Sequence, residues 1–259
     1  MRKPWIALGA LLIVASACSS SGDDTQAGSD STTDLTVFAA SSLTPAFTQI
    51  GADFEAANPG VDVVFNFAAS TDLATQIVSE GTADVFASAS GAAMDTVAAD
   101  PGVSGRAVFA TNQLVIITPP DNPAGVVSVD SLTAPTVALV VGAEGVPVGD
   151  YTREMLGNAG IEHAVLTNVV SNEPDDASVV ARIAGGEADA GIVYTSDLVA
   201  AGNSVASIAI PRRINVTATY AAAIVAGGTN PDFAQAFVTF LNGHGQATLT
   251  AYGFGTPPG

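Results

Sequence analysis

The 259-residue chain carries 25 acidic residues against seven lysines and arginines, a formal charge of −18. So acidic a body is a poor partner for nucleic acid or an anionic lipid face, and the single cysteine, Cys18, excludes an internal disulfide. The length suits one large domain or two of ordinary size.

The chain opens with Arg2 and Lys3, runs apolar from Trp5 to Val14, and reaches Ala15-Ser16-Ala17 just before Cys18. The run is too short to span a bilayer and ends in small residues, so residues 1–17 read as a secretory signal peptide. A cysteine directly after such a run resembles the lipobox of bacterial lipoproteins, although Ala15 stands where leucine is commoner. That likeness implies lipidation at Cys18 and an extracytoplasmic location, anchored to the bacterial cell membrane. Beyond the signal, five arginines face 25 acids, a charge of −20. Residues 18–33, including SSSGDDTQAGSDSTT, offer almost nothing to bury and read as a tether.

From Asp34 onward apolar runs of two periodicities alternate. Strands are expected at Leu35 to Ala39, Val61 to Phe67 and Val85 to Ala89, and helices at Pro45 to Ala57, Leu73 to Glu80 and Ala92 to Ala99. Asp100-Pro101-Gly102 closes this set. A second set follows, with strands at Leu114 to Pro120, Thr136 to Val141, Val165 to Val170 and Ala190 to Tyr194, and helices at Asp150 to Asn158 and Ser178 to Ala184. A strand at Tyr220 to Val225 and a helix at Pro231 to Leu241, with Phe233, Phe237, Phe240 and Leu241 on one face, end the chain. The alternation predicts an α/β architecture in which each set is a lobe with a mostly parallel sheet flanked by helices. Lobe 1 comprises 34–112 and 218–259, lobe 2 comprises 113–217, and the chain crosses between them near Thr111 to Gln113 and Asn215 to Thr219.

Catalytic signals are weak. His163 and His244 lie in polar or glycine-rich surroundings, and no Gly-x-Ser-x-Gly elbow, His-Glu-x-x-His, phosphate-binding loop or dinucleotide fingerprint occurs. The reading is therefore a protein that is not an enzyme, with no cofactor and no directly bound metal. Asp84 reads as a backbone anchor at a strand start. Four strand ends carry hydroxyls or a glycine-proline turn: Ser41-Ser42, Ser70 within Ala68 to Asp72, Gly142 to Gly149, and Tyr194-Thr195-Ser196-Asp197. Singly each suits a helix cap. Together they describe a pocket of neutral donors at helix N-termini, suited to a tetrahedral oxyanion. Repulsion from the acidic surface is screened within about 8 Å at physiological salt.

Thr36-Val37-Phe38-Ala39-Ala40-Ser41-Ser42-Leu43-Thr44, Ala83 to Ala89, Val146-Pro147-Val148-Gly149-Asp150-Tyr151, Gly186 to Asp197 and Tyr252-Gly253-Phe254 resemble, in order and spacing, the molybdate-binding proteins of ABC transporters. The resemblance implies a two-lobed periplasmic-binding fold of type II. It also implies a monomer that captures molybdate or tungstate and delivers it to an ABC permease. By position, Ser42 and Ser70 would give hydroxyl and backbone donors, Val148 and Asp176 backbone N–H groups, and Tyr194 its hydroxyl. Two departures stand out: Asp176-Ala177 replaces an apolar and a basic residue, and Glu144 replaces a proline. Another oxyanion such as sulfate, or a lipid-anchored surface protein whose serines are merely caps, is the alternative.

Overall fold

The computed structural model describes residues 32–257, so the expected signal peptide, Cys18 and most of the tether lie outside the described residues. Strands β1 (Thr33–Ala40), β2 (Val61–Ala68), β3 (Val85–Ser88), β4 (Val103–Thr118), β5 (Leu139–Gly142), β6 (Val169–Glu173), β7 (Ala190–Tyr194), β8 (Ala206–Ala209) and β9 (Thr217–Val225) pair in the order β2-β1-β3-β9-β4-β7-β5-β6, with β8 also on β4. β1 lies parallel to β2 and β3, and β5 lies parallel to β6 and β7. Every pairing of β4 and β9 is antiparallel. The strands toward each end of the sheet are parallel, and the sheet is mixed as a whole because β4 and β9 run through its centre in opposite directions.

Strand β4 sets the topology. Val103 to Gln113 pair with β9, and from Leu114 the partners become β7 and β8. Strands β1 to β3 run in the same direction as β4, so their carboxyl ends point toward the Gln113–Leu114 junction. Strands β5 to β7 run against the second half of β4, and their carboxyl ends point to the same junction from the other side.

Alternation along the strands sorts the core. Leu35, Val37 and Ala39 of β1 pack with Phe47, Ile50 and Phe54 of helix α1 (Thr44–Ala57) and Phe237 of α8 (Pro231–Asn242). Phe38 and Phe86 on the opposite face pack with Leu73 and Ile77 of α2 (Ser70–Glu80) and Met94 and Val97 of α3 (Gly91–Ala99). In the other half, Leu139, Val141 and Ile192 meet Met155 and Leu156 of α4 (Pro147–Ala159), while Val140 and Val193 meet Val179 and Ile183 of α6 (Asp176–Ala184). Gly191 permits that second contact: a Cβ there would come within 2.8 Å of Val179. Asp84 anchors backbone, accepting from the N–H groups of Thr36 and Asn230 at 2.9 Å each.

Three expectations need correction. Residues 162–166 form helix α5 (Glu162–Leu166), and β6 begins only at Val169. The apolar Val165 and Leu166 belong to that helix's core-facing side, and Asn168 closes it with its N–H donating to the Val165 carbonyl at 3.0 Å, while its side chain donates to the carbonyls of Leu132 and Ala134 at 2.8 and 2.9 Å. Strand β4 extends 11 residues ahead of its expected start at Leu114, because two irregularities between Ser104 and Ala110 break its alternation. Its end at Thr118 follows from Pro119 and Pro120, which lack the N–H a ladder needs. Helices α7 (Thr195–Ala201) and α9 (Gly245–Ala251) and strand β8 were not expected.

Phe237 is fully buried, with ring centroids 6.0 Å from Phe47, 5.2 Å from Phe54 and 6.4 Å from Phe65. Phe237→Ala is expected to lower unfolding free energy by about 3–5 kcal/mol in urea titration.

Candidate functional site

At the junction the chain brings together all five residues singled out from sequence. Ser42, Ser70, Val148, Asp176 and Tyr194 line one cavity with Ser41, the alanines at 40, 69 and 89, Val146 and Pro147. Its free interior is about 10 Å³, roughly room for one water molecule. The lining comes from both halves of the sheet. Ser41 and Ser42 open a 3-10 turn directly after β1, and Ser70 opens α2 after β2. Val148 lies in the first turn of α4 after β5, Asp176 opens α6 after β6, and Tyr194 ends β7.

The serines do not cap helices. The N-cap positions of the 3-10 turn, α2 and α4 are Ala40, Ala69 and Val146, and none provides a side-chain cap. Where this protein does cap a helix, it does so conventionally: Ser90 Oγ accepts from the Ala93 N–H at 3.2 Å, and Asp175 Oδ1 from the Ser178 N–H at 2.7 Å. Ser70 Oγ instead accepts from the Ala89 N–H at 3.0 Å, and Ser42 Oγ lies 2.9 Å from the Tyr220 hydroxyl. Three first turns without side-chain caps therefore meet at one buried cavity. Helix N-termini carry partial positive charge, which favours an anion there. Gly149 lets the first turn of α4 press onto the end of β5; a Cβ would overlap the carbonyl oxygens of Gly142 and Ala143.

Two polar atoms of the lining are buried without a hydrogen-bond partner among the described residues, the Tyr194 hydroxyl and Asp176 Oδ2. A buried unsatisfied polar group costs about 1–3 kcal/mol, so two beside one cavity mark a place where a ligand would make good the deficit. The lining is not wholly neutral. Asp176, expected to offer its backbone N–H, is 4% exposed, and its carboxylate accepts from the Ser41 hydroxyl. That bond joins the two halves of the sheet, as does Tyr151, whose hydroxyl donates to the Ala89 carbonyl at 3.2 Å.

Sequence reading named Ser41 and Asp197 only within their strand-end runs, without a role of their own, and missed Tyr220. Asp197 is 7% exposed; its Oδ2 accepts from the Tyr194 N–H at 2.8 Å, and its carboxyl neighbours that of Asp176. Burial pushes the Asp197 carboxyl well above the usual carboxylate range, and the neighbouring Asp176 charge adds to this. Burial also raises Asp176, against hydrogen bonds from Asp197 and Ser41 that favour its ionised form. The phenols of Tyr194 and Tyr220 are raised chiefly by burial, which keeps them neutral donors. No arginine belongs to the lining: Arg153 donates to the carbonyls of Gly149 and Gly142 at 3.0 and 3.2 Å, and Arg106 and Arg182 pair with acids.

The fold and this cleft-like site define a class, and the chain belongs to it: the bacterial extracellular solute-binding protein family, whose model matches residues 35–255. It is 40% identical to the molybdate-binding protein ModA of Mycobacterium tuberculosis over 225 residues, 86% of this chain and 85% of that one. It is 32% identical to the protein of the same name from Escherichia coli over 265 residues, covering 98% and 99% of the two chains. The solved periplasmic molybdate-binding protein of Azotobacter vinelandii aligns with a TM-score of 0.76 at 20% identity, covering 86% of this chain and all of that one; this likeness concerns the fold.

Tyr194→Phe removes a buried hydroxyl that has no partner among the described residues. Thermal and urea unfolding of the unliganded variant should show stability raised by about 1 kcal/mol; a loss of that size would mean the hydroxyl is already satisfied.

Proposed function

We propose that the protein binds molybdate, and tungstate of the same tetrahedral shape, outside the cytoplasm and hands it to an ABC permease. The observation that carries this reading is the buried, unpartnered Tyr194 hydroxyl facing the uncapped first turns of α2 and α4. Its support from relatives is the 40% identity to a molybdate-binding protein across most of both chains. In this reading Ser42, Ser70 and Tyr194 supply hydroxyls, and Ser42, Ser70, Val148 and Asp176 supply backbone N–H groups. Hydrogen bonds to a charged acceptor contribute about 1.5–3 kcal/mol each, and five or more would offset the anion's desolvation. The oxyanion is carried unchanged; the protein is not an enzyme and needs no cofactor.

A four-oxygen anion exceeds the free interior of the cavity, so entry requires its two sides to part. We assign the sides to 34–112 with 218–259 and to 113–217, hinged near residues 111–113 and 215–219. The change of β4 partners between Gln113 and Leu114 supports this, as does Asn215, which bonds both the N–H and the carbonyl of Leu114 at 3.2 and 2.9 Å. Among the described residues no helix is long and apolar enough to cross a membrane. Membrane attachment in this reading comes from a lipid on Cys18, with the binding protein acting as a monomer.

Isothermal titration calorimetry of the full chain with molybdate, tungstate and sulfate tests the proposal. One-to-one binding of the first two, with sulfate at least a hundredfold weaker, is the expected outcome. Sulfate preference would assign the cage to a smaller oxyanion, and silence with all three would overturn the reading.

A further inference from the structure

Asp176 is the one ionisable carboxylate in the lining of a cavity otherwise suited to an anion. Its Oδ1 is held by the Ser41 hydroxyl and its Oδ2 has no partner. Asp197 neighbours it, and both acids line a wider cavity of about 310 Å³ that shares Ser41. Two neighbouring carboxyl groups this deeply buried, at 4% and 7% exposure, cannot both stay ionised without a cation beside them, so one of them carries a proton. Asp197 Oδ2 accepts from the Tyr194 N–H at 2.8 Å.

Resting on the oxyanion reading above, we propose that the Asp176–Asp197 pair holds one proton in the empty site and takes up a second when the anion binds, so that ligand enters together with a proton. The second proton belongs on Asp176, whose carboxyl then changes from a repelling charge into a donor toward the ligand. No cation in the lining could do this instead. The other titratable groups facing the pair are Tyr194 from β7, Tyr220 from β9 and Asp175 at the start of α6, with Tyr151 of α4 behind Tyr194. The phenols are held neutral by burial, and Asp175 is committed to capping α6.

The sign follows from linkage. An anion beside Asp176 favours its protonated form, so its pKa is higher in the complex than in the empty protein. Affinity is level at low pH, where the empty pair already holds both protons. It then falls by up to tenfold per pH unit as pH rises between the empty and the liganded pKa values.

The test is calorimetric titration of the full chain with molybdate from pH 6 to 9, repeated in two buffers of different ionisation enthalpy, for the wild type and Asp176→Asn. The wild type should take up about one proton per anion in the falling part of the profile and lose up to tenfold in Kd per unit there. Asp176→Asn, with an amide that donates at every pH, should take up none and bind with a flat profile. Wild-type binding that is level across the range with no proton uptake overturns the inference while leaving molybdate binding intact. So does uptake that persists unchanged in Asp176→Asn. The buffer comparison on the wild type is decisive even if the variant fails to fold. Silence toward molybdate at every pH would overturn the binding reading and this inference with it.

Discussion

Everything at the site depends on one continuous strand. Because the 16 residues of β4 pair first with β9 and then with β7 and β8, both halves of the sheet must aim their carboxyl ends at the point of exchange. Helices that follow strands begin where those strands stop, so α2, α4 and α6 bring their N-termini to the same point. In open α/β sheets a ligand crevice lies beyond the carboxyl ends of strands, and here two such edges face each other across Gln113 and Leu114. A break in β4 would leave the donors intact and scatter them.

That convergence explains how a chain with a formal charge of −18 can present a site for an anion. The surface charge is distant and screened, whereas uncapped N–H groups and hydroxyls act at contact distance in a poorly hydrated cavity. Hydrogen bonds from neutral donors satisfy oxygens without fixing an opposing charge, which suits a carrier that must release its cargo. The exception is Asp176, whose carboxylate stands among those donors. It bridges the halves through Ser41 and is itself tied to Asp197, so closure and protonation of the site share the same atoms.

Much of the fold was legible because its strands are bounded sharply. Ala190 to Tyr194 was read to the residue, framed by Asp189 and by Asp197 of the next helix. The 162–170 region was not, since a short helix and an edge strand placed end to end give one apolar run that has no single period. The first half of β4 escaped because its irregularities erase alternation around Gly105 and Arg106. At the site, the hydroxyls after strand ends were visible as a pattern, and all five chosen residues line one cavity. Their partners were not visible: Ser42 and Tyr220 meet across 178 positions, and nothing local marks Tyr220. For Asp176 the resemblance implied a backbone donor just ahead of the expected helix, and nothing local marked its side chain as part of the site. Only the packing of α6 against the Ser41 turn decides that its carboxylate turns inward.

The central claim is that the cavity at the junction is where the oxyanion sits. Anomalous diffraction at the molybdenum edge, from crystals of the protein grown with molybdate, addresses it directly. The account predicts one strong peak per chain at the junction cavity, with ligand oxygens within about 3 Å of the Tyr194 hydroxyl and the first-turn N–H groups of α2 and α4. A peak elsewhere on the surface, with Tyr194 still unpartnered, would contradict it.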